Sequence, residues 1–295
     1  MEPTLVVING PTAVGKTDLS IQMALALGTE IISTDSRQFY REMSIGTAKP
    51  SAHELAQVTH HFINNRSVAD YYSAGDFEKE ALAKISELFK AGKSHVIAIG
   101  GSGLYIKALC EGLDDVPEAD LQLRNELIEK YKTDGLNWLQ AELQKLHSER
   151  FLEIDQNNPQ RLMRAIEIAR QGGVKKKDAK VRPFKIVKVG LTRDREELYS
   201  RINARVDIMM TDGLLEEVRS LIPYHDLVAL QTVGYSELFS HFKNEISLDR
   251  AIELIKQHSR NYAKKQMTWL RKDLEINWFR PDNQKDILDL VLKRQ

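Results

Sequence analysis

Gly10-Pro11-Thr12-Ala13-Val14-Gly15-Lys16-Thr17 has the spacing of a phosphate-binding P-loop: a glycine, four residues, then Gly-Lys-Thr. The residue types follow from the chemistry. Glycines let the backbone curl so that several N–H groups converge on phosphate oxygens. Lys16 adds a charge that reaches the terminal phosphates, and Thr17 supplies a hydroxyl for a magnesium ion or a phosphate oxygen. A helix that follows aims its positive dipole end at the anion. The motif by itself leaves the phosphorylated ligand open. A second chemically suggestive residue is Asp35, at the centre of Thr34-Asp35-Ser36.

The surrounding elements supply the context these residues need. Leu5-Val6-Val7-Ile8 is a short apolar β-branched run of the kind found in a buried parallel strand. Asp18 to Leu27 reads as a helix, with Gly28 where a helix stops. Glu30 to Ser33 reads as a second strand, with Asp35 just beyond its end. In open α/β sheets ligands sit at the carboxyl ends of strands, so the P-loop and Asp35 are expected to face one crevice. Ala74 to Ala91 reads as a helix stopped by Gly92, and Ser94 to Ile99 as a third apolar strand. That strand ends in Gly100-Gly101-Ser102-Gly103, a second glycine-rich turn, with a helix over Leu104 to Glu111. The turn is no dinucleotide fingerprint, because the third glycine would fall at Ile106.

The pattern changes at Gly112, where an acidic connector (Asp114, Asp115, Pro117, Glu118, Asp120) leads into helical patterns over Leu121 to Lys132, Gly135 to His147 and Pro159 to Gln171. Asn158 is a plausible N-cap and Pro159 takes the first helical position. Arg170 to Lys188 carries eight basic residues against one acid, Asp178. A strand resumes over Phe184 to Leu191, and helices follow over Arg195 to Met210 and Leu248 to Asp273. Arg201 and Arg205 are four apart and share one helix face. The expected fold is α/β, a P-loop NTPase-like parallel sheet flanked by helices, with an all-helical insertion. The core takes 1–111 and 182–295 and the insertion 112–181.

Bulk properties narrow the function classes. The chain has 295 residues, 42 basic and 42 acidic, so no global charge draws it to nucleic acid or anionic lipid. Cys110 is the single cysteine, which rules out an internal disulfide and fits a reducing compartment. His60-His61 has no zinc spacing and is read as structural. No apolar run approaches the roughly 20 residues of a membrane span. The first strand starts within a few residues of Met1, which leaves no room for a signal or transit peptide, so a cytoplasmic, bacterial setting and a monomer are expected.

Seven ordered motifs together resemble the tRNA dimethylallyltransferases. They are the P-loop; Asp35-Ser36-Arg37-Gln38-Phe39-Tyr40; Ile45 to Pro50; Gly100 to Tyr105; Asn158 to Ala165; Gln231-Thr232-Val233-Gly234-Tyr235; and Tyr262 to Trp269. The match runs from the first strand to about Arg271. The resemblance implies transfer of a dimethylallyl group from dimethylallyl diphosphate to the exocyclic amine of adenine 37, beside the tRNA anticodon, after the base is flipped out. It implies Asp35 as general base. It implies Gly10 to Thr17, with Arg205, as the diphosphate site, and magnesium as cofactor with Thr17 as its candidate ligand. Ser36, Arg37 and Gln38 are implied to lie with Asp35 against the flipped base. Ser102, Arg124, Gln160, Arg161, Leu162, Met163, Arg164 and Gln231 to Ser236 are implied to contact the tRNA anticodon stem-loop. Ser102 and Ser259 stand where many members have threonine, which keeps the hydroxyl.

The chemistry is coherent with these residues. Adenine's exocyclic amine is a poor nucleophile, and the allylic carbon compensates by tolerating carbocation character as diphosphate leaves. The main task is then to stabilise the departing charge. The P-loop is accordingly read as holding an isoprenoid diphosphate without nucleoside triphosphate hydrolysis, and Lys175 to Lys180 as a tRNA contact. Three rivals remain. One is a small-molecule kinase in which Asp35 holds magnesium. Another is the same chemistry on free adenine nucleotides, and the third is a non-catalytic RNA-binding protein. Stabilisation by ATP alone, and not by dimethylallyl diphosphate, would favour the kinase.

Overall fold

The computed structural model describes residues 2–114, 116–174 and 181–293. In chain order the elements begin with β1 (Thr4–Asn9), α1 (Lys16–Leu27), β2 (Ile31–Ser33), α2 (Ala52–Gln57), β3 (His60–His61), α3 (Ala74–Lys90), β4 (His95–Gly100) and α4 (Gly103–Cys110). Next come α5 (Leu121–Leu146), α6 (Ser148–Glu153) and α7 (Pro159–Arg170). The chain then continues through β5 (Lys185–Leu191), α8 (Arg195–Thr211), α9 (Leu214–Ser220), α10 (Tyr235–Phe242), α11 (Leu248–Leu270), β6 (Asn277–Phe279) and α12 (Gln284–Lys293). The chain divides into two compact units, 1–111 with 181–295, and 112–180.

The first unit is built on a six-stranded sheet among the described residues, in the order β3-β2-β4-β1-β5-β6. Every pair is parallel. β1 sits near the middle because all six of its residues are buried on both faces, as an unbroken Leu-Val-Val-Ile run demands. One face packs against α1, α8 and α12 through Val6, Ile8, Leu19, Met23, Ile202 and Ile287. The other packs against α3 and α4 through Leu5, Val7, Phe77, Ile85, Ile106 and Leu109. A third cluster gathers Val206, Leu214, Tyr235, Leu238 and Ile255 from α8 to α11. α3 starts at a capping box in which Ser73 accepts from the Asp76 amide and Asp76 accepts from the Ser73 amide.

A parallel sheet places all strand carboxyl ends along one edge. The loops after β1, β2, β4 and β5 therefore open on one side. β1 lies between β4 and β5, so chain segments far apart in sequence meet around its end.

The second unit is helical and has its own core of Leu127, Leu139, Leu143, Leu162, Met163 and Ile166. The two expected helices over Leu121 to Lys132 and Gly135 to His147 form one run, α5, broken at Gly135, whose φ of 74° and ψ of −170° are not helical. Asn158 caps α7 by accepting from the Arg161 amide at 3.1 Å, with Pro159 in the first turn. The short α6, β3 and β6, together with α2, α9, α10 and α12, are additions to the expected elements. His61 of β3 lies 2.6 Å from the Glu30 carboxylate. The basic stretch Lys175 to Lys180 lies outside the described residues. Among the described residues no helix is long and apolar enough to cross a membrane.

Candidate active site

The P-loop joins the end of β1 to the start of α1. Ala13 (φ 62°) and Gly15 (φ 107°) take left-handed backbone conformations two residues apart. Alternation of this kind turns successive N–H groups to one side and makes an anion-binding concavity. The carbonyls are tied the other way by cations. The Arg193 Nε donates to the Val14 carbonyl at 2.8 Å, and the Arg201 Nε to the Ala13 carbonyl at 2.8 Å. The Lys16 ammonium donates to the Gly10 and Pro11 carbonyls at 3.0 and 2.8 Å.

A cleft of about 1260 Å³ opens at this edge of the sheet, with Lys16, Thr17, Asp35, Ser36, Arg205 and Tyr262 among its walls. Its electrostatics are uneven. The Lys16 pKa is lowered to about 8, by burial first and by the nearby Arg205 charge next, with Asp35 opposing both. Arg205 is also lowered, by burial first, with Asp35 opposing and Arg201 adding to the shift. The Arg205 Nη2 reaches the Ala48 carbonyl at 3.4 Å.

Asp35 begins a short turn at the end of β2, where its Oδ1 accepts from the Arg37 amide at 2.9 Å. The turn is joined to the glycine-rich loop after β4. The Ser36 amide donates to the Ser102 Oγ at 3.1 Å, and the Ser102 hydroxyl donates to the Ser36 Oγ at 3.2 Å. The Tyr262 phenol is raised to about 12, by burial first and the Asp35 charge next, with a hydrogen bond to Ser102 opposing them. Gln38 spends both ends of its amide on local structure. Its Oε1 accepts from the Ser33 hydroxyl at 3.1 Å, and its Nε2 donates to the Thr47 and Ala48 carbonyls at 3.3 and 3.2 Å. These bonds fold Ile45 to Pro50 back toward the cleft.

The structure sorts the remaining sequence candidates. Thr12, Ala13, Gly15, Lys16 and Thr17 line the cleft, whereas Gly10, Pro11 and Val14 are buried behind it. Arg37, Gln231, Thr232, Val233, Gly234 and Ser236 line it as well. Tyr235 does not line it: its ring is fully buried, and its hydroxyl donates to Glu217 at 2.6 Å. Glu217 was invisible in the sequence, yet it also accepts from the amides of Ser44, Ile45 and Gly46 at 2.9, 2.7 and 3.0 Å. It thereby fixes the loop that Gln38 holds from the other side.

In the helical unit the run Gln160 to Arg164 cannot present five side chains to a ligand, because a helix turns about 100° per residue. Gln160 and Arg161 are exposed, while Leu162 and Met163 are core residues. The Leu162 and Met163 side chains thus hold the helical unit together, which leaves their backbone as the part that can face a ligand. Arg124 makes a two-pronged bond to Glu167 at 2.6 and 2.8 Å, and Arg164 adds a third contact to Glu167 at 3.0 Å. Glu167 is fully buried, so both arginines compensate an internal charge.

Gln266 of α11 is the positioning residue that the sequence placed in a motif without a role. Its Oε1 accepts from the Thr12 amide at 3.0 Å, and its Nε2 donates to the Gly101 carbonyl at 3.0 Å. One side chain thus joins the P-loop to the turn that carries Ser102. A Cβ on residue 101 would lie 2.1 Å from the Gln266 Nε2 and 3.2 Å from the Gly10 carbonyl oxygen, which explains the glycine. Gln266→Met keeps the length and removes both bonds. It is expected to destabilise the fold by about 1–3 kcal/mol and to weaken binding of inorganic diphosphate. Thermal unfolding and calorimetry check this, and an unchanged midpoint with unchanged affinity would remove Gln266 from the site.

Among the described residues no cluster of three or more His, Cys, Asp or Glu side chains is arranged to hold a metal. Magnesium is commonly held through substrate phosphates and only one or two protein ligands, so a lone hydroxyl in a phosphate cleft fits it.

Comparison with known proteins gives a consistent picture. The family model described as IPP transferase matches residues 38–273. A tRNA dimethylallyltransferase of Christiangramia forsetii is 51% identical over 99% of this chain and 98% of its own length. A tRNA dimethylallyltransferase of Bacteroides fragilis is 48% identical, over 98% and 97%. The crystal structure of the full-length tRNA isopentenylpyrophosphate transferase of Bacillus halodurans is 35% identical, with a TM-score of 0.74 over 99% of this chain and 97% of that one. A eukaryotic dimethylallyltransferase acting on tRNA, 24% identical, shares the fold with a TM-score of 0.75 over 99% and 77%.

Proposed function

Because the chain belongs to the IPP transferase family, we propose a mechanism of tRNA dimethylallyl transfer for the cleft at the carboxyl edge of its sheet. Its curated relatives are tRNA dimethylallyltransferases, and in the proposed reaction a dimethylallyl group moves from dimethylallyl diphosphate to the exocyclic amine of adenine at tRNA position 37. The observation that carries the mechanism is the convergence of Lys16, Arg205 and Asp35 on one cleft, with the anion-binding loop on one side and a carboxylate on the other.

In the reaction the adenine nitrogen forms a bond to the allylic carbon as the carbon–oxygen bond to diphosphate breaks. The diphosphate leaves with the electron pair. P-loop amides, Lys16 and Arg205 face the oxygens on which charge develops and stabilise it by being fixed in place beforehand. The proton lost from the amine passes to Asp35, whose turn is held by the Arg37 amide. Ser36 and Arg37 line the wall beside Asp35, where they would contact the flipped base. Thr17 would hold a magnesium ion through its hydroxyl, and the ion would neutralise diphosphate charge. Ser102, Gln231 to Gly234, Ser236, and the exposed Gln160 and Arg161 of the helical unit are read as contacts of the anticodon stem-loop, in a cytoplasmic monomer.

The depressed Lys16 pKa gives a signed pH dependence. Without ligand the folded chain disfavours the Lys16 charge relative to the unfolded chain, where a lysine titrates near 10.5, so this group's contribution to stability rises with pH between about 8 and 10.5. A bound anion reverses the preference by holding the ammonium. Above pH 8 binding must therefore take up a proton, and diphosphate affinity should fall by about tenfold per pH unit. Calorimetry across pH 7 to 9 checks this, and Lys16→Met should lack that part of the slope.

The direct test is mass spectrometry of nucleosides from unmodified tRNA incubated with the protein, magnesium and dimethylallyl diphosphate, with AMP as the parallel acceptor. Adenosine heavier by one dimethylallyl group, in tRNA only, is expected. Product from AMP alone would reassign the acceptor, and no product with ATP consumed would overturn the reaction.

A further inference from the structure

Three cations meet at the P-loop, and their surroundings differ from those of their neighbours. Arg193, which ties the Val14 carbonyl, is paired with Glu197, and Arg280 is paired with Asp194 and Glu197. Lys16, Arg205 and Arg201 have no such partner. The hydrogen bonds of Lys16 and Arg201 go to P-loop carbonyls, and that of Arg205 to the Ala48 carbonyl. No ion pair with a carboxylate neutralises any of the three among the described residues. Like charges gathered in this way repel one another, Asp35 offsets only part of that repulsion, and an anion bound between them would relieve more of it.

Arg201 stands four residues before Arg205 on α8, on the same helix face, and it lines the same cleft. Its Nε is spent on the Ala13 carbonyl. A guanidinium has a planar fork of five donors, so both terminal nitrogens keep their hydrogens for another acceptor. The tether fixes that fork beside the loop whose amides form the anion concavity. Arg201 is also exposed, at the solvent margin of the cleft.

We propose that Arg201 is a second arginine ligand of the donor diphosphate, with Nε holding the P-loop and the terminal nitrogens binding phosphate oxygens at the solvent margin. The inference rests on the diphosphate reading of the P-loop. Arg205 then binds from the buried side and Arg201 from the exposed side. The fork–fork geometry of arginine with phosphate makes this a specific contact. Because Arg201 is reachable from solvent, it also guides the incoming anion. A backbone phosphate of the tRNA offers the same chemistry, and the test separates the two sources.

The experiment is calorimetric titration of the full-length chain with inorganic diphosphate at several salt concentrations, alongside tRNA binding without the donor. Arg201→Gln is expected to raise the diphosphate Kd about tenfold and to make its salt dependence shallower, with tRNA affinity changed less than about twofold. Arg201→Lys keeps the charge and loses the tether, so it should restore the salt dependence. Arg193→Gln loses the equivalent tether to Val14 and should leave the salt dependence as in the wild type. Equal loosening by Arg193→Gln and Arg201→Gln, with no change in salt dependence, would make Arg201 a tether only and overturn the proposal. An effect on tRNA affinity alone would assign Arg201 to the nucleic acid and overturn it as well. Wild-type protein that binds no diphosphate would bring down the P-loop reading itself, whereas weakening by Lys16→Ala with none by Arg201→Gln would remove this inference alone. Melting temperatures of all variants identify any that fail to fold, in which case Arg201→Lys carries the comparison.

Discussion

Asp35→Asn is expected to slow transfer to tRNA by ~100- to 10,000-fold while leaving diphosphate binding unchanged or tighter. The asparagine is chosen because its side-chain oxygen can still accept the Arg37 amide, so the turn after β2 is kept. What disappears is the proton acceptor and one negative charge. That charge raises the proton affinity of Lys16 and of Arg205. Removing it makes the cleft more positive, which favours an anion, so lost turnover cannot be blamed on lost donor. Single-turnover transfer and calorimetry with inorganic diphosphate separate the effects. Turnover like that of the wild type would remove Asp35 as the base. A loss of diphosphate affinity as large as the loss of rate would make it a donor-binding group instead.

Lys16→Ala is expected to act at the other end of the cleft. The ammonium approaches the Gly10 and Pro11 carbonyls from inside the loop, where burial and Arg205 already disfavour its charge. A charge held under those conditions interacts strongly with an anion because little water competes for it. Removing one such group from a site that stabilises a leaving group costs on the order of 3 kcal/mol, ~100- to 1,000-fold in rate. The loss should appear in kcat with dimethylallyl diphosphate and in the Kd of diphosphate, with tRNA affinity held. A change confined to tRNA affinity would contradict the phosphate-site assignment.

The two variants also distinguish the roles of the two walls. The Asp35 wall is joined to the glycine-rich turn after β4 through Ser36 and Ser102, and the P-loop is joined to the same turn through Gln266. Donor and acceptor sides therefore share one mechanical support. A Cβ at residue 101 would lie 2.1 Å from the Gln266 amide nitrogen, so a side chain there would have to displace this support.

Much of this was legible from local pattern. The P-loop, the strand before it and the helix after it are specified by consecutive residues, because backbone curl, burial of a β-branched run and helix stop signals act over a few positions. The crevice shared by Lys16 and Asp35 followed from parallel topology alone. Short elements did not show: β3 has two residues and β6 three, too few for periodicity to register. The break within α5 was legible too: two helices were expected, and the chain leaves helical geometry at Gly135, where they meet.

What only the tertiary structure decided is which distant side chain reaches which backbone atom. Gln266 meets Thr12 across 254 positions, and Arg193 and Arg201 meet Val14 and Ala13 across 179 and 188. Those meetings exist because β5 pairs with β1, bringing α8 beside the P-loop, and because α11 packs along the same edge. Glu217 likewise gains its four donors only when α9 lies against the 44–46 loop. The sequence states that Arg201 and Arg205 share a helix face, since that follows from the helical repeat. It does not state what the face looks at, because no residue near them in sequence encodes the strand order.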